Sequence, residues 1–376
     1  MQEYNWRKER EKFRPGFQKT EQAPPPEPTP EPNKPSGGSR AVPVILMILA
    51  AVLVVVLIVV FSTMRSSKSA SASGDTAALL AQAADNCKSA VGLVVVTVEL
   101  SNGNKIEEPI GTAWAFAENK FATNAHVAEG IKEAVSEVKN LFAQEILKGI
   151  LKDENCASMG DLIKKLGEQK VALLLEAAIV EAGKKIRKAG ASILINGSHR
   201  ESYPVTQVQL HREYGVVNTD FDPDVAVLTI QGRHDNFFKV ADSESLKTLK
   251  SGEPIAFLGF PMERLAGNNV NVDNPVASMQ SGIVVAVSDF SMKDVGGAGN
   301  YLIRHNLPSA GGASGSPIFN RNGEVIALLY GGNATRLVNQ GKSMRMPSAA
   351  QINFGVRVDL LSGVGTPVAL EDFLRQ

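Results

Sequence analysis

The chain has 376 residues, and 39 Lys+Arg balance 39 Asp+Glu, so its formal net charge is zero. That length exceeds one small domain and leaves chain for appendages, and a balanced charge excludes the bulk basic field of a nucleic-acid binder. Two cysteines, Cys87 and Cys156, cannot form a disulfide framework. No Cys/His cluster has zinc spacing and no HExxH occurs, so no structural metal and no organic cofactor is expected.

Residues 1–40 are polar and proline-rich, and PPPEPTPEPNKP reads as an extended tail that cannot bury a core. Residues 41–61, AVPVILMILAAVLVVVLIVVF, carry no charge. About 20 apolar residues cross the hydrocarbon core as a helix, so this run is expected to be a transmembrane anchor. A cleaved signal peptide is the competing reading, kept open by the small residues at 69–73. The run exceeds the ~7–15 residues of a signal core, and the tail before it is far longer than a normal signal lead. Lys34 and Arg40 at one end are matched by Arg65 and Lys68 at the other. Only the wider set Arg7, Lys8, Arg10, Lys12, Arg14 and Lys19 favours a cytoplasmic N-terminus. The rest of the chain is then expected in a periplasmic or extracellular space. A tether at 62–75 and a short helix near 76–88 follow.

From Val91 the pattern changes to short apolar runs with Gly, Asn and Asp turns: VGLVVVTVEL, then GTAWAF, and from Ala191 onward SILING, YPVTQVQLH, VAVLTI, PIAFLGF, SGIVVAVS, SPIFN, EVIALLYGG and NFGVRV. Such spacing predicts a barrel or sandwich. Residues 127–190 interrupt it with helical periodicity. Ile131, Val135, Val138, Leu141, Phe142, Leu147, Ile150 and Leu151 recur at three- and four-residue steps. Ser158, with Asp161 three residues on, suits the cap of a second helix. That helix is expected to run to Gly190, with Lys184, Lys185, Arg187 and Lys188 in its last turns. VALLLEAAIV is apolar over more than one face. The two stripes of the resulting helical hairpin can bury each other, which makes a self-contained decoration; the apolar surplus favours a further contact, with a second subunit in a homo-oligomer or with the cleft beside His126.

Three residues carry candidate chemistry. Ser314 sits in GGASGSPIF, where Gly311, Gly312 and Gly315 allow a tight turn. The N–H groups of Gly312 and Ser314 can then point at one spot, as an oxyanion hole requires. His126 ends an apolar hairpin in FATNAHV, and Asp224 opens the VAVLTI strand in FDPDVAVLTI. Asp220 and Asp222 are rivals for the acid. The chain order His, Asp, Ser is that of the chymotrypsin fold. An α/β-hydrolase runs Ser, acid, His, and no histidine follows His305.

GTAWAF…ATNAHV, DVAVL, GASGSPIF, GEVIAL, PIAFLGFP and SMQSGIVVAVS together resemble the HtrA/DegP-type branch of the trypsin-like serine proteases, over residues 88–130 and 191–361. The resemblance implies a mainly β, chymotrypsin-like double barrel within residues 76–376. The first barrel would span about 88–232, interrupted by the helical insertion, and the second about 250–362. It implies a serine endopeptidase acting on protein or peptide substrates, with a place in protein quality control. His126 would be general base, Asp224 orienting acid, Ser314 nucleophile and Gly312 an oxyanion donor. Ser309, Leu329, Tyr330 and Gly331 would bind substrate, in a primary pocket floored by Asn306–Ser309 and Leu328–Gly331. The alternative is a non-catalytic binding module on the same fold at the membrane surface. GASGS departs from the commoner GNSGG, the gap from His126 to Asp224 is long, and with few residues after NFGVRVDLL no PDZ domain is expected. Cys87 and Cys156 are expected to be unrelated thiols rather than a disulfide.

Overall fold

The computed structural model describes residues 75–198, 201–216, 221–262, 271–308, 310–332, 334–339, 342–347 and 352–376. The expected tail, the apolar run 41–61, most of the tether, Asp220 and Ser309 lie outside the described residues. Among the described residues, no helix is long and apolar enough to cross a membrane.

Helix α1 (residues 75–87) leads into β1 (Val91–Leu100). The run of β-branched residues in β1 suits a strand covered on both faces, and Val91 and Leu93–Val96 are all buried. It pairs with β2 (Lys105–Ala117) on one side and β4 (Ile186–Ile195) on the other. The sheet continues through β3 (Lys120–Thr123), β5 (Ser202–Leu210) and β6 (Ala226–Ile230), and β5 also pairs with β6, which closes β1–β6 into a barrel.

A second barrel follows. Strands β8 (Pro254–Gly259), β9 (Ser278–Ser288), β10 (Leu302–His305), β11 (Pro317–Asn320), β12 (Glu324–Gly332) and β15 (Asn353–Arg357) close through β11 and β12. The short β7 (Lys239–Val240) joins its edge in parallel with β12. Beyond β12 lies a hairpin of β13 (Ala334–Asn339) and β14 (Lys342–Pro347). The fold is thus the mainly β, chymotrypsin-like double barrel. After β15, strand β16 (Val368–Ala369) returns to pair with β5 of the first barrel.

The insertion differs from the expected two-helix hairpin. Helix α2 (Ala125–Asp153) begins before the expected start and carries His126 in its first turn. The second limb is two helices, α3 (Met159–Leu166) and α4 (Glu168–Lys184), because Gly167 between them takes φ +81° and breaks the helical path. Ser158 does cap α3: its Oγ accepts from the Asp161 N–H at 3.2 Å. The expected stop at Gly190 is six residues too late. From Ile186 the chain is already β4, pairing with Glu99 and Leu100 of β1, so Arg187 and Lys188 are strand residues. The basic cluster imitates a helix end, but the β1 edge recruits this segment. Cys87 and Cys156 are both free thiols.

Candidate active site

The β2–β3 hairpin ends at Thr123, and Asn124 takes extended dihedrals (φ −77°, ψ 153°) as the N-cap of α2. An N-cap of this kind fixes where the helix starts, and so where His126 stands. The Asn124 side chain does not cap the helix. It donates to the Asp224 carbonyl at 2.8 Å and ties the helix start to the segment before β6. Asp224 is 1% exposed, and both its carboxylate oxygens face His126. Oδ1 accepts from the His126 backbone N–H at 2.8 Å, and Oδ2 lies 2.5 Å from Nδ1. A carboxylate can only accept, so Nδ1 carries the proton and Nε2 keeps its lone pair. The imidazole is 42% exposed, which leaves that lone pair open to a reactant.

Burial by itself lowers the His126 pKa. The Asp224 hydrogen bond and charge, with the charges of Asp222 and Glu133, outweigh it and hold the pKa above the ordinary value. Asp222 is not bonded to the imidazole; its Oδ2 accepts from the Gly215 N–H at 3.0 Å. Burial raises its pKa. Beside it, Tyr214 donates to Glu129 Oε2 at 3.1 Å, and burial against these carboxylates raises the phenol pKa.

Ser314 comes from the second barrel. Its loop begins with a turn in which the Ala313 N–H donates to Ala310 O at 3.1 Å. Gly312 is the third residue of that turn at φ +87°, and a Cβ there would fall 2.6 Å from the Phe260 carbonyl oxygen. Gly315, at φ +84°, abuts the first barrel, where a Cβ would fall 2.2 Å from the Thr112 carbonyl oxygen. Both positions therefore demand glycine. Among the described residues, the N–H groups of Gly312 and Ser314 have no hydrogen-bond partner. Ser314 Oγ donates to the Tyr330 carbonyl at 3.4 Å. The Tyr330 ring stands edge-on to the His126 ring, centroids 6.1 Å apart, which places the serine loop and the histidine side by side.

The expected substrate-binding residues divide. Leu329 is fully buried, with its N–H spent on Ser316 O and its carbonyl on the Gly315 N–H, both at 2.9 Å. It therefore braces the serine loop, with both its backbone groups already engaged. Tyr330 faces His126, and Gly331 stays half-buried at the strand end. Asn306 Oδ1 accepts from the Ile283 N–H at 2.7 Å, which anchors the start of the expected pocket floor. His305 before it is buried, and burial pushes its pKa down to about 4, so it is neutral at pH 7. Sequence reasoning missed Asn124 and Thr112. The first had a signal, an Asn directly before a helix; the second had none, because its partners lie in another barrel.

A protein-family model described as the trypsin-like peptidase domain matches residues 177–328, less than half of the chain; the matched stretch contains Asp224 and Ser314 but not His126. Among curated protein sequences, none matches the chain. Similar solved structures include the Rv3671c protease of M. tuberculosis H37Rv in an inactive form, at 14% identity over 75% of this chain and 89% of that one, TM-score 0.36. The HtrA-type protease AlgW with a decapeptide is another, at 13% identity over 75% of this chain and 64% of that one, TM-score 0.39. Over residues 177–328 the chain thus resembles the trypsin-like peptidases; at such TM-scores the structural likeness assigns no residue a role.

Proposed function

We propose that this protein is a membrane-anchored serine endopeptidase whose triad is His126, Asp224 and Ser314. The observation that carries the reading is the doubly bonded His126–Asp224 pair beside Ser314. Asp224 keeps the imidazole in the tautomer whose Nε2 can take a proton. When substrate enters, Ser314 Oγ gives its proton to Nε2 and attacks the peptide carbonyl. Asp224 stabilises the imidazolium, and the Gly312 and Ser314 N–H groups receive the oxyanion. His126 then protonates the leaving amine, and water resolves the acyl-enzyme by the same route. The uncharged run 41–61 is the reason to place this domain at a membrane, with the N-terminus cytoplasmic and the barrels outside.

The pocket segments Asn306–Pro308 and Leu328–Gly331 carry no carboxylate. A lysine or arginine side chain buried there without a partner would cost several kcal/mol, so the favoured residue on the acyl side of the cut is small or medium and apolar. The test uses the full chain. A fluorophosphonate probe should label wild type and not S314A. Degradation of an unfolded model protein should fall by about 10⁴-fold or more in S314A and H126A, and mapped cuts should follow apolar residues. An unlabelled wild type, or an S314A that still degrades protein, would refute the peptidase reading; cuts after Lys or Arg would refute the specificity.

A further inference from the structure

The candidate oxyanion loop does not hold its own shape. Three of its peptides, 311–312, 312–313 and 314–315, have their carbonyls gripped from outside the loop, while the Ala313 carbonyl accepts from the Ser316 N–H at 3.1 Å. The Gly311 carbonyl accepts from the Met262 N–H at 2.6 Å. A trans peptide is planar, with C=O and N–H pointing opposite ways, so this bond turns the Gly312 N–H away from the Phe260–Met262 segment. The Gly312 carbonyl accepts from Thr112 Oγ1 at 2.8 Å. The Ser314 carbonyl accepts from the Thr112 N–H at 3.0 Å.

Two of these three grips belong to Thr112, in β2 of the first barrel, and that residue is wholly buried. Its hydroxyl is used twice, donating to Gly312 O and accepting from the Phe260 N–H at 3.1 Å. Phe260 directly follows β8, two residues before the other grip at Met262. One hydroxyl therefore links the serine loop, the end of β8 and the first barrel. The Thr112 carbonyl is held in turn by Thr123 Oγ1 at 2.8 Å, and Thr123 ends the strand before Asn124 and His126. The histidine and serine ends of the site thus share a single brace.

We propose that Thr112 is the positioning residue of this site, a buried clamp across the two barrels: its hydroxyl fixes the 312–313 peptide, which lies between the two peptides that carry the Gly312 and Ser314 N–H groups, and so holds those donors in one orientation toward the developing oxyanion. It touches neither substrate nor His126; it acts through the orientation of the peptides around Ser314. Without it, Gly312 at φ +87° has the freedom to rotate its following peptide. The donors would then have to be reoriented during the reaction, where preorganised donors need not be. The role rests on the peptidase reading above, and it is the transition state that should feel its loss rather than ground-state binding.

The experiment compares wild type, T112V and T112S as full chains on one peptide substrate, with S314A as the blank. T112V keeps the shape and loses the hydroxyl; T112S keeps the hydroxyl. The expected result is a fall in kcat of about 10²-fold for T112V, the size seen when one oxyanion donor is lost. KM should stay within about threefold, the acid limb of the pH profile should not move, and T112S should recover most of the kcat. Measurements are made well below the unfolding midpoint of each variant. If T112V does not fold, T112A decides, since it removes the same hydroxyl with less crowding. An active wild type with unchanged kcat in T112V, or in T112A standing for it, would overturn the clamp, as would equal losses in T112V and T112S. A wild type inert to substrate and to fluorophosphonate would instead overturn the peptidase reading.

Discussion

Asp224, Asp222 and Glu133 all act on the His126 imidazole with the same sign, and together they overcome the opposing effect of burial. A raised pKa means that the base form appears only at higher pH. The acid limb of kcat/KM should therefore have its midpoint above about 6.5, the ordinary histidine value. D222N removes one through-space charge and no bond to the ring. It should keep most of the activity and move the limb to lower pH, by less at high salt. D224N reverses the tautomer and should cost about 10⁴-fold in kcat. A pH–rate series on the two variants checks both; an inactive D222N beside an active D224N would reverse the assignment of the acid. Local packing explains the departure at position 316. Ser316 is buried beside Gly259, where a Cβ would fall 1.8 Å from its Oγ. The side chain missing at 259 makes the room that the extra one at 316 uses. Ser316 was legible as an oddity of the motif; its compensation 57 residues earlier in the sequence was not.

The helical insertion is two packing units in one chain segment. Ala125, Val127, Ala128, Ile131 and Val138 of α2 are buried in the main core with the barrel strands. Ala143, Leu162, Val171, Ala178 and Ala182 are buried outside that core, and α4 packs on both α2 and α3. Gly183 lies against the Lys139 side chain, so the two limbs meet there. Excising 131–188, as the periodicity alone would suggest, removes barrel core residues and the start of β4. Replacing 141–182 with a short Gly/Ser loop cuts where the limbs already touch. That variant should fold with intact barrels and keep its turnover of small peptides. Circular dichroism and kcat check this, and a chain that unfolds would show the distal helices to be part of the barrel's stability. The outer face of α4 leaves Leu173 64% and Val180 59% exposed. Its apolar surplus was readable as composition, while the division of the insertion was not, because periodicity marks a face without saying what covers it.

Across the whole molecule, the C-terminal segment joins the two barrels. After β15 the chain leaves the second barrel, pairs β16 with β5 of the first, and ends in α5 (Leu370–Arg375). Leu370 and Phe373 are buried in the common core, and Lys132 of α2 stands 4.2 Å over the Phe373 ring. Truncating a buried phenylalanine to alanine costs about 3–5 kcal/mol. F373A should therefore lower the denaturant midpoint clearly, while kcat measured below that midpoint stays near wild type, because none of the hydrogen bonds that build the site involves Phe373. An unshifted midpoint would mean that the segment is an ornament and no strap.

Taken alone, the order of residues determined what depends on near neighbours: alternating apolar runs for the barrels, the Ser158 cap, the glycines around Ser314, and three candidate residues in the order His, Asp, Ser. Each rests on propensity or on backbone freedom within a few positions. Tertiary structure alone decided that both Asp224 oxygens engage His126 while Asp222 is spent on the Gly215 N–H. It also decided that Leu329 braces the serine loop, that residues 186–190 are strand, and that Thr112 grips the loop from the other barrel. Each of these is a contact between segments far apart in sequence, and such a contact is chosen by which surfaces can bury one another and which hydrogen bonds remain to be satisfied once they have.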